Sequence, residues 1–423
     1  MTAASSYPDL DRLFGCLLGG SIGAALGAPV ERLTLDEIRA EHGPEGLREY
    51  AAGEFGTGRI TGETQLMART AAAIAQASVR ARDRGIGGAV IGMVQASYLS
   101  WLGRPEAEIL PPPPPGPPPA DTSAPPPMPP GAPGAPFPSW SLGDIPPVPP
   151  RMPSGPALTG GRRGGVGRST MEALRAAAAR GRPGPPLGTP DEPVNDSKGC
   201  GGLLRAAPCG FGAGGEEGAF ELGCKVAALT NGHPSGFLPA GVLAALVRGL
   251  VRGAGFDESL ALARAQLVRR KGHKETARAL DDAARLATHG PSTPERVESL
   301  GRGHTAPEAL AIAVYLLLRA ESDPPREEWN AWRQPALQGR HAMLRAVNHS
   351  GDSDATGALA GHLLGARYGS AAFPGHWQYE LENRHSLLVL AADIVLEFGV
   401  EPPIDPEGQG HPPMGWSPSA QDA

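Results

Sequence analysis

Asp352-Ser353-Asp354 sets two carboxylates two residues apart, at the opening of the apolar run Thr356 to Tyr368. At that spacing, near a helix start, carboxylates present oxygens to a hard divalent cation, which is held by charged and carbonyl oxygens. The same residues suit a helix N-cap, where a short acidic side chain accepts a free amide and meets the positive end of the helix dipole. Spacing alone leaves both readings open. It excludes an EF-hand, because the other spaced acids and the closing Glu are absent. Glu31, Thr61 and Glu63 are candidates to converge on the same cation, although each alone also reads as a solvated polar residue.

Four loops are dense in Gly, Thr, Ser, Asp and Asn: Gly56 to Gln65, Asn195 to Pro208, Thr230 to Gly236, and Asn348 to Gly357. Glycine lets backbone approach a ligand, and the polar side chains supply contacts to it. Asn195, Asp196, Ser197 and the turn Gly199-Cys200-Gly201-Gly202 suit a phosphate or ribose cradled by backbone amides. A plain turn before Leu203 accounts for them as well. His233, before Pro234, reads either as a loop hydrogen-bonder or as a catalyst. Arg162 and Arg163 beside Gly164 and Gly165 read either as a phosphate contact or as the solvated end of a linker.

The elements around these loops are helical. Apolar residues recur at three and four over Leu66–Arg82, Ala89–Leu102, Met171–Arg180, Phe220–Leu229, Leu238–Val251, Ser259–Arg270, Glu275–Thr288, Pro307–Arg319 (with Thr305 as N-cap), Thr356–Tyr368 and Ser386–Phe398. No alternating strand pattern is found, and aromatics are only 5 % of the chain, which argues against an all-β fold. The expectation is an all-α protein. Leu13 to Val30 holds no charge over a length close to a membrane span, but its five glycines point instead to a buried, closely packed helix. No other segment is expected to span a bilayer, and a cytoplasmic protein with no membrane partner follows. A net charge of −6 gives no basic field for nucleic acid. Cys16, Cys200, Cys209 and Cys224 form no Cys-x-x-Cys pair and are too few for a disulfide scaffold, so they read as buried thiols.

Of the 47 prolines, 21 fall between Pro105 and Pro150, which excludes regular hydrogen-bonded structure there. Residues 105–156 are expected to be a disordered insertion within one domain spanning 9–400. Runs such as Pro111 to Pro115 would also suit a proline-recognition module. Residues 401–423, rich in Pro, Gly and polar residues, read as a disordered tail.

The ordered motifs GCLLGGSIGAALGAPVE, GRITGETQLM, NDSKGCGGLLRAAP, LTNGHPSGFLPAG, EALAIAVYLLL and NHSGDSDATGALAGHLLGARYG, from about Asp11 to Phe398, resemble the ADP-ribosylglycohydrolase family, that of dinitrogenase-reductase-activating glycohydrolase. The resemblance implies a compact all-α domain with a two-metal site, Mg²⁺ or Mn²⁺. It implies hydrolysis of the glycosidic bond between ADP-ribose and a protein side chain or small molecule. The implied metal ligands are Glu31, Thr61, Glu63, Asp352 and Asp354, with Glu31, Asp352 or Asp354 taking the proton of water. Ser197, Gly199, Cys200, Gly201, Gly202, His233, Ser350 and Gly351 would line the substrate, leaving the Cys200 thiol partly accessible.

Departures from the family pattern bear on chemistry. Gly62 stands where an Asp ligand belongs, Glu63 replaces a second Asp, Ala355 replaces a hydroxyl, Ala24 replaces an acid, and Asn231 stands where His is frequent. The remaining ligands suffice for one metal. Two functional readings follow: a metal-dependent hydrolase of an ADP-ribosyl bond, weakened at its metal site, or a non-catalytic member that binds ADP-ribose or a partner protein.

Overall fold

The computed structural model describes residues 5, 7–52, 56–85, 87–103, 165–180, 185–212, 214–320, 322–323 and 334–399. The proline-rich segment 105–156, Arg162, Arg163 and Gly164, and the tail 401–423 lie outside the described residues.

Within the described residues the chain forms sixteen α-helices and no strand. They are α1 (Leu10–Gly27), α2 (Leu35–His42), α3 (Gly62–Arg84), α4 (Val90–Gly103), α5 (Arg168–Ala179), α6 (Gly201–Leu204), α7 (Glu216–Ala228), α8 (Pro234–Val251), α9 (Phe256–Leu267), α10 (Lys274–Ala287), α11 (Pro294–Glu298), α12 (Ala306–Ala320), α13 (Gln334–Val347), α14 (Ser353–Tyr368), α15 (Gly375–Glu380) and α16 (Arg384–Phe398). The all-α expectation holds. One antiparallel bridge, Gly199 to Thr305, ties two loops together.

The glycines of α1 do what close packing requires. Gly15, Gly19, Gly23 and Gly27 recur every fourth residue, so they share one helix face. That face meets Gly365, Gly361, Gly357 and Ser353 of α14, in antiparallel order. A Cβ at Gly19 or Gly23 would collide with the carbonyl of Gly361 or Gly357, and a Cβ at Gly361 or Gly357 would collide in return. The two backbones therefore run in direct contact. The start of α14 is brought to the end of α1 by this seam, and the acids of both regions lie there.

Both α1 with the turn after it and α8 are long and apolar enough to cross a membrane, and both are buried for most of their length in the helix bundle. The expectation that Leu13 to Val30 is alone in this respect is corrected by α8, whose first turn begins four residues earlier than the apolar run at Leu238. His233 caps it, accepting the Ser235 amide on Nδ1 at 2.9 Å. The periodicity also passed over α2, α11, α13 and α15. α2 is short, but it carries a complete capping box between Thr34 and Glu37.

Candidate metal centre

Glu31 ends the short turn Ala28–Val30 after α1, Asp352 precedes α14, and Asp354 is the second residue of α14. One oxygen from each carboxylate lies within 4.8 Å of the others. Asp354 is buried, while Glu31 and Asp352 are half-buried. Asp352 occupies the N-cap position, yet its side chain caps no amide. Its Oδ2 instead accepts the Cys200 thiol at 3.0 Å. The carboxylate is thus not spent on the helix, and the three acids face one another.

Such crowding is electrostatically costly without a cation. Burial, then the charge of Asp352, holds the Asp354 carboxyl well above the usual carboxylate range. Burial and then Asp352 raise Glu31 too, against the pull of Arg32 and His304. These protons are bound more tightly in the folded state than in the unfolded chain. In metal-free protein the two groups therefore favour folding most at low pH, and that contribution is lost as pH rises through the folded-state values. Three converging carboxylates, two of them (Glu31 and Asp354) with raised proton affinity, fit a hard dication, which would displace the protons of those two. The stabilisation given by added Mn²⁺ should accordingly be larger at pH ~7.5 than at pH ~5.5, since protons compete at the lower value. Melting curves with and without Mn²⁺ at both values measure this. An equal or smaller rise in Tm at the higher pH would remove these carboxylates as the binding site.

The opposite wall is the start of α3. Thr61 is its N-cap, with Oγ1 accepting the Thr64 amide at 3.3 Å. Gly62 is the first helical residue and does not take positive φ. Glu63 is not one of the three converging carboxylates. Its Oε2 pairs with Arg205 Nη1 at 3.4 Å, and the Arg205 side chain is wholly buried. The same guanidinium lies 5.1 Å above the Tyr98 ring and donates through Nη2 to Thr230 Oγ1. Burial pushes the Glu63 carboxyl up to about 7, with Arg205 opposing. Its Oε1 has no hydrogen-bond partner. The sequence signal for Arg205 is a charged residue inside the apolar stretch Leu203–Ala207.

A cavity of about 10 Å³ lies between the two walls, lined by Gly20, Ala24, Thr61, Glu63, Asp354 and His362 among others. That is about the space of one water. Gly165, at φ +80°, stands over the same place: a Cβ on it would lie 3.4 Å from Thr61 Cβ and 3.5 Å from Asp354 Oδ2.

Most of the expected substrate-lining residues hold loops in shape. Ser197 Oγ accepts from the Gly199 amide and Asn231 Nδ2 and donates to Ser169. Asn231, fully buried, also donates to the Gly199 carbonyl at 3.0 Å. Ser350 Oγ accepts the Leu35 amide at 2.9 Å. Gly351 takes φ +140°, where a side chain would run into Arg302. Gly202 packs against Ala227, and Gly201 against Glu63 and Thr170. Cys200 alone of this set hydrogen-bonds to one of the three carboxylates, that of Asp352; it is 8 % exposed, so the expected accessibility of its thiol is not found. The other three cysteines are free and buried.

A family model described as ADP-ribosylglycohydrolase matches residues 5–403. The chain is 31 % identical to human ADP-ribosylhydrolase ARH3 over 100 residues, which is 24 % of this chain and 26 % of that protein. It is 29 % identical to the mouse protein of the same name over 105 residues, with the same shares. The matched region thus spans about a quarter of these curated relatives. A solved structure called an ADP-ribosylglycohydrolase-related protein complex superposes with a TM-score of 0.56 at 24 % identity, covering 92 % of this chain and 99 % of that one, which shows the fold.

Proposed function

The chain belongs to the ADP-ribosylglycohydrolase family, and from that premise we propose that it hydrolyses a glycosidic bond to ADP-ribose with a dication, Mg²⁺ or Mn²⁺, held by Glu31, Asp352 and Asp354. The observation that carries this reading is the meeting of those three carboxylates at one end of the α1–α14 seam. A dication held there would polarise ribose oxygens and acidify a bound water. Asp354 is buried and Asp352 already accepts the Cys200 thiol, so both are fixed as holding groups. Glu31, half-buried and without the thiol contact that fixes Asp352, is the carboxylate suited to take the proton of the attacking water. The substrate is an ADP-ribosylated protein side chain or small molecule.

Release of ADP-ribose from arginine- and serine-linked peptides, with Mg²⁺ or Mn²⁺ and with chelator, tests the proposal. We expect slow, metal-dependent turnover. Gly62 offers no ligand and Glu63 is engaged by Arg205, so the α3 wall contributes little charge. The same observation favours the second reading, binding without turnover, and that is the result if ADP-ribose binds and is never released from a peptide.

Gly62→Asp should tighten Mn²⁺ binding and raise turnover by about tenfold or more. The position has helical backbone at a helix N-terminus, where an acid is favoured, so no backbone strain should mask the gain. Adding Ala355→Thr tests the missing hydroxyl, at the risk of overpacking a fully buried site. Wild-type turnover of about 1 per second or faster would mean that the present ligands already suffice.

A further inference from the structure

We infer that the turn from α9 into α10 docks an acidic stretch of the polypeptide that carries the ADP-ribosyl group, so that modified side chains with acidic neighbours in sequence are preferred. The inference rests on the hydrolase reading above and concerns which substrates reach its site.

The turn is Arg269-Arg270-Lys271-Gly272-His273-Lys274, four Lys or Arg in six residues of a chain whose net charge is −6. Arg270 is committed to the fold. Its guanidinium lies over the Phe220 ring and meets Glu217 and Glu221 at 3.6 and 3.3 Å. Arg269, Lys271 and Lys274 are exposed and have no ion-pair partner among the described residues. Unpaired cations this close repel one another, and an anionic partner relieves that repulsion. Beside them, Leu262 in α9 and Val268 at its C-cap are 42 % and 54 % exposed, two of the four large apolar side chains so exposed among the described residues.

Position ties this surface to the site. Gly272 takes φ +78° and presses on Pro234, where a Cβ would be 2.6 Å from Pro234 Cβ. Pro234 follows His233, the N-cap of α8. Glu275, in the first turn of α10, accepts Lys198 Nζ at 2.8 Å and Ser235 Oγ at 2.5 Å, and so clamps the turn to two of the glycine-rich loops. Lys198 is two residues from Cys200, whose thiol meets Asp352. A peptide lying along the turn is thus at the edge of the loops that lead to the three carboxylates. The chemistry of the surface selects that occupant. From Asp257 to His289 the chain has no Phe, Tyr or Trp, so nothing there stacks on bases, as binding of single-stranded nucleic acid requires. Exposed Leu262 and Val268 suit a polypeptide, which brings apolar as well as acidic groups. Surface ion pairs are individually weak, so three of them give a preference of about tenfold that fades with salt.

Fluorescent peptides bearing one ADP-ribosyl-arginine or ADP-ribosyl-serine, flanked by Glu or by Gln, are the probes. In chelator, anisotropy should show wild type binding the Glu peptide about tenfold more tightly at low salt, and the two about equally at about 0.5 M salt. With Mn²⁺ present, the preference should appear in KM and not in kcat. The triple variant Arg269→Gln, Lys271→Gln, Lys274→Gln should lose it. Changing the same three residues to Glu should turn the preference toward Lys-flanked peptides, an inversion that a merely structural role would not produce. Equal binding of the Glu and Gln peptides by wild type overturns the proposal, whatever the turnover, and that comparison needs no variant to fold. A preference that survives the triple Gln variant overturns it as well. Glu-selective binding with no turnover of any peptide overturns the hydrolase reading and leaves docking in place. An oligothymidylate that displaces the Glu peptide at equal charge assigns the turn to nucleic acid and overturns the peptide reading.

Discussion

Asp354→Asn should reduce metal-dependent ADP-ribose release by about 100-fold or more while leaving the metal-free protein at least as stable as wild type. The two halves of this expectation have one cause. Asp354 is buried beside Asp352 and Glu31, and its charged form is opposed first by burial and then by those neighbours. Asparagine keeps the size and removes the charge, so in metal-free buffer an unfavourable interaction disappears. In the loaded protein the same change removes one of three anionic oxygens around the ion. Losing a single group that stabilises developing charge commonly costs about 10²–10³ in rate. Steady-state kinetics with saturating Mn²⁺, and thermal melts with and without it, separate the effects. A variant that melts several degrees lower in chelator has lost a structural acid, and one that retains activity within a few-fold has lost nothing the reaction uses; either result ends the assignment.

The second large effect lies in the seam. Gly23→Ala should cost about 3 kcal/mol or more, at the upper end of what overpacking costs, because the added carbon meets the Gly357 backbone rather than a side chain able to turn aside. Separating α1 from α14 would also draw Glu31 away from Asp354, so the variant should lose the Mn²⁺ rise in Tm. Gly92→Ala provides the contrast. It lies in α4 with open space around it, and there the same substitution should stabilise by about 0.5–1 kcal/mol through reduced chain entropy. Urea unfolding of both variants reads the pair of opposite signs; two changes of equal sign would show that backbone contact is not what the seam glycines provide.

These two sites also mark how far the sequence could be read. The uncharged run from Leu13 through α1 and its fourfold glycine spacing announce a buried, close-packed helix, and Gly357, Gly361 and Gly365 carry the same spacing in α14. That the two faces belong together is not a local property, since the partners are more than 300 residues apart. Asp352 and Asp354 are visible as a pair, and Glu31 is a candidate to join them alongside Thr61 and Glu63; the structure brings Glu31, Asp352 and Asp354 together. What escaped reading is long-range and polar. Arg205 meets Glu63 across 142 residues, and Cys200 meets Asp352 across 152, with no periodicity linking either pair. The Thr34–Glu37 capping box, by contrast, was a local signal in plain view.

The seam has a further consequence at the ribosome. α1 is finished at Gly27, but its partner begins at Ser353, 326 residues later. At about 5–20 residues per second of synthesis, that delay is about 16–65 s. Throughout it, a long helix, uncharged from Leu13 onward and with a bare glycine face, has no α14 to cover it, which is the condition under which nascent chains engage chaperones or aggregate. The carboxylates cannot gather until the seam closes, so metal can lock the finished fold but cannot guide its first steps.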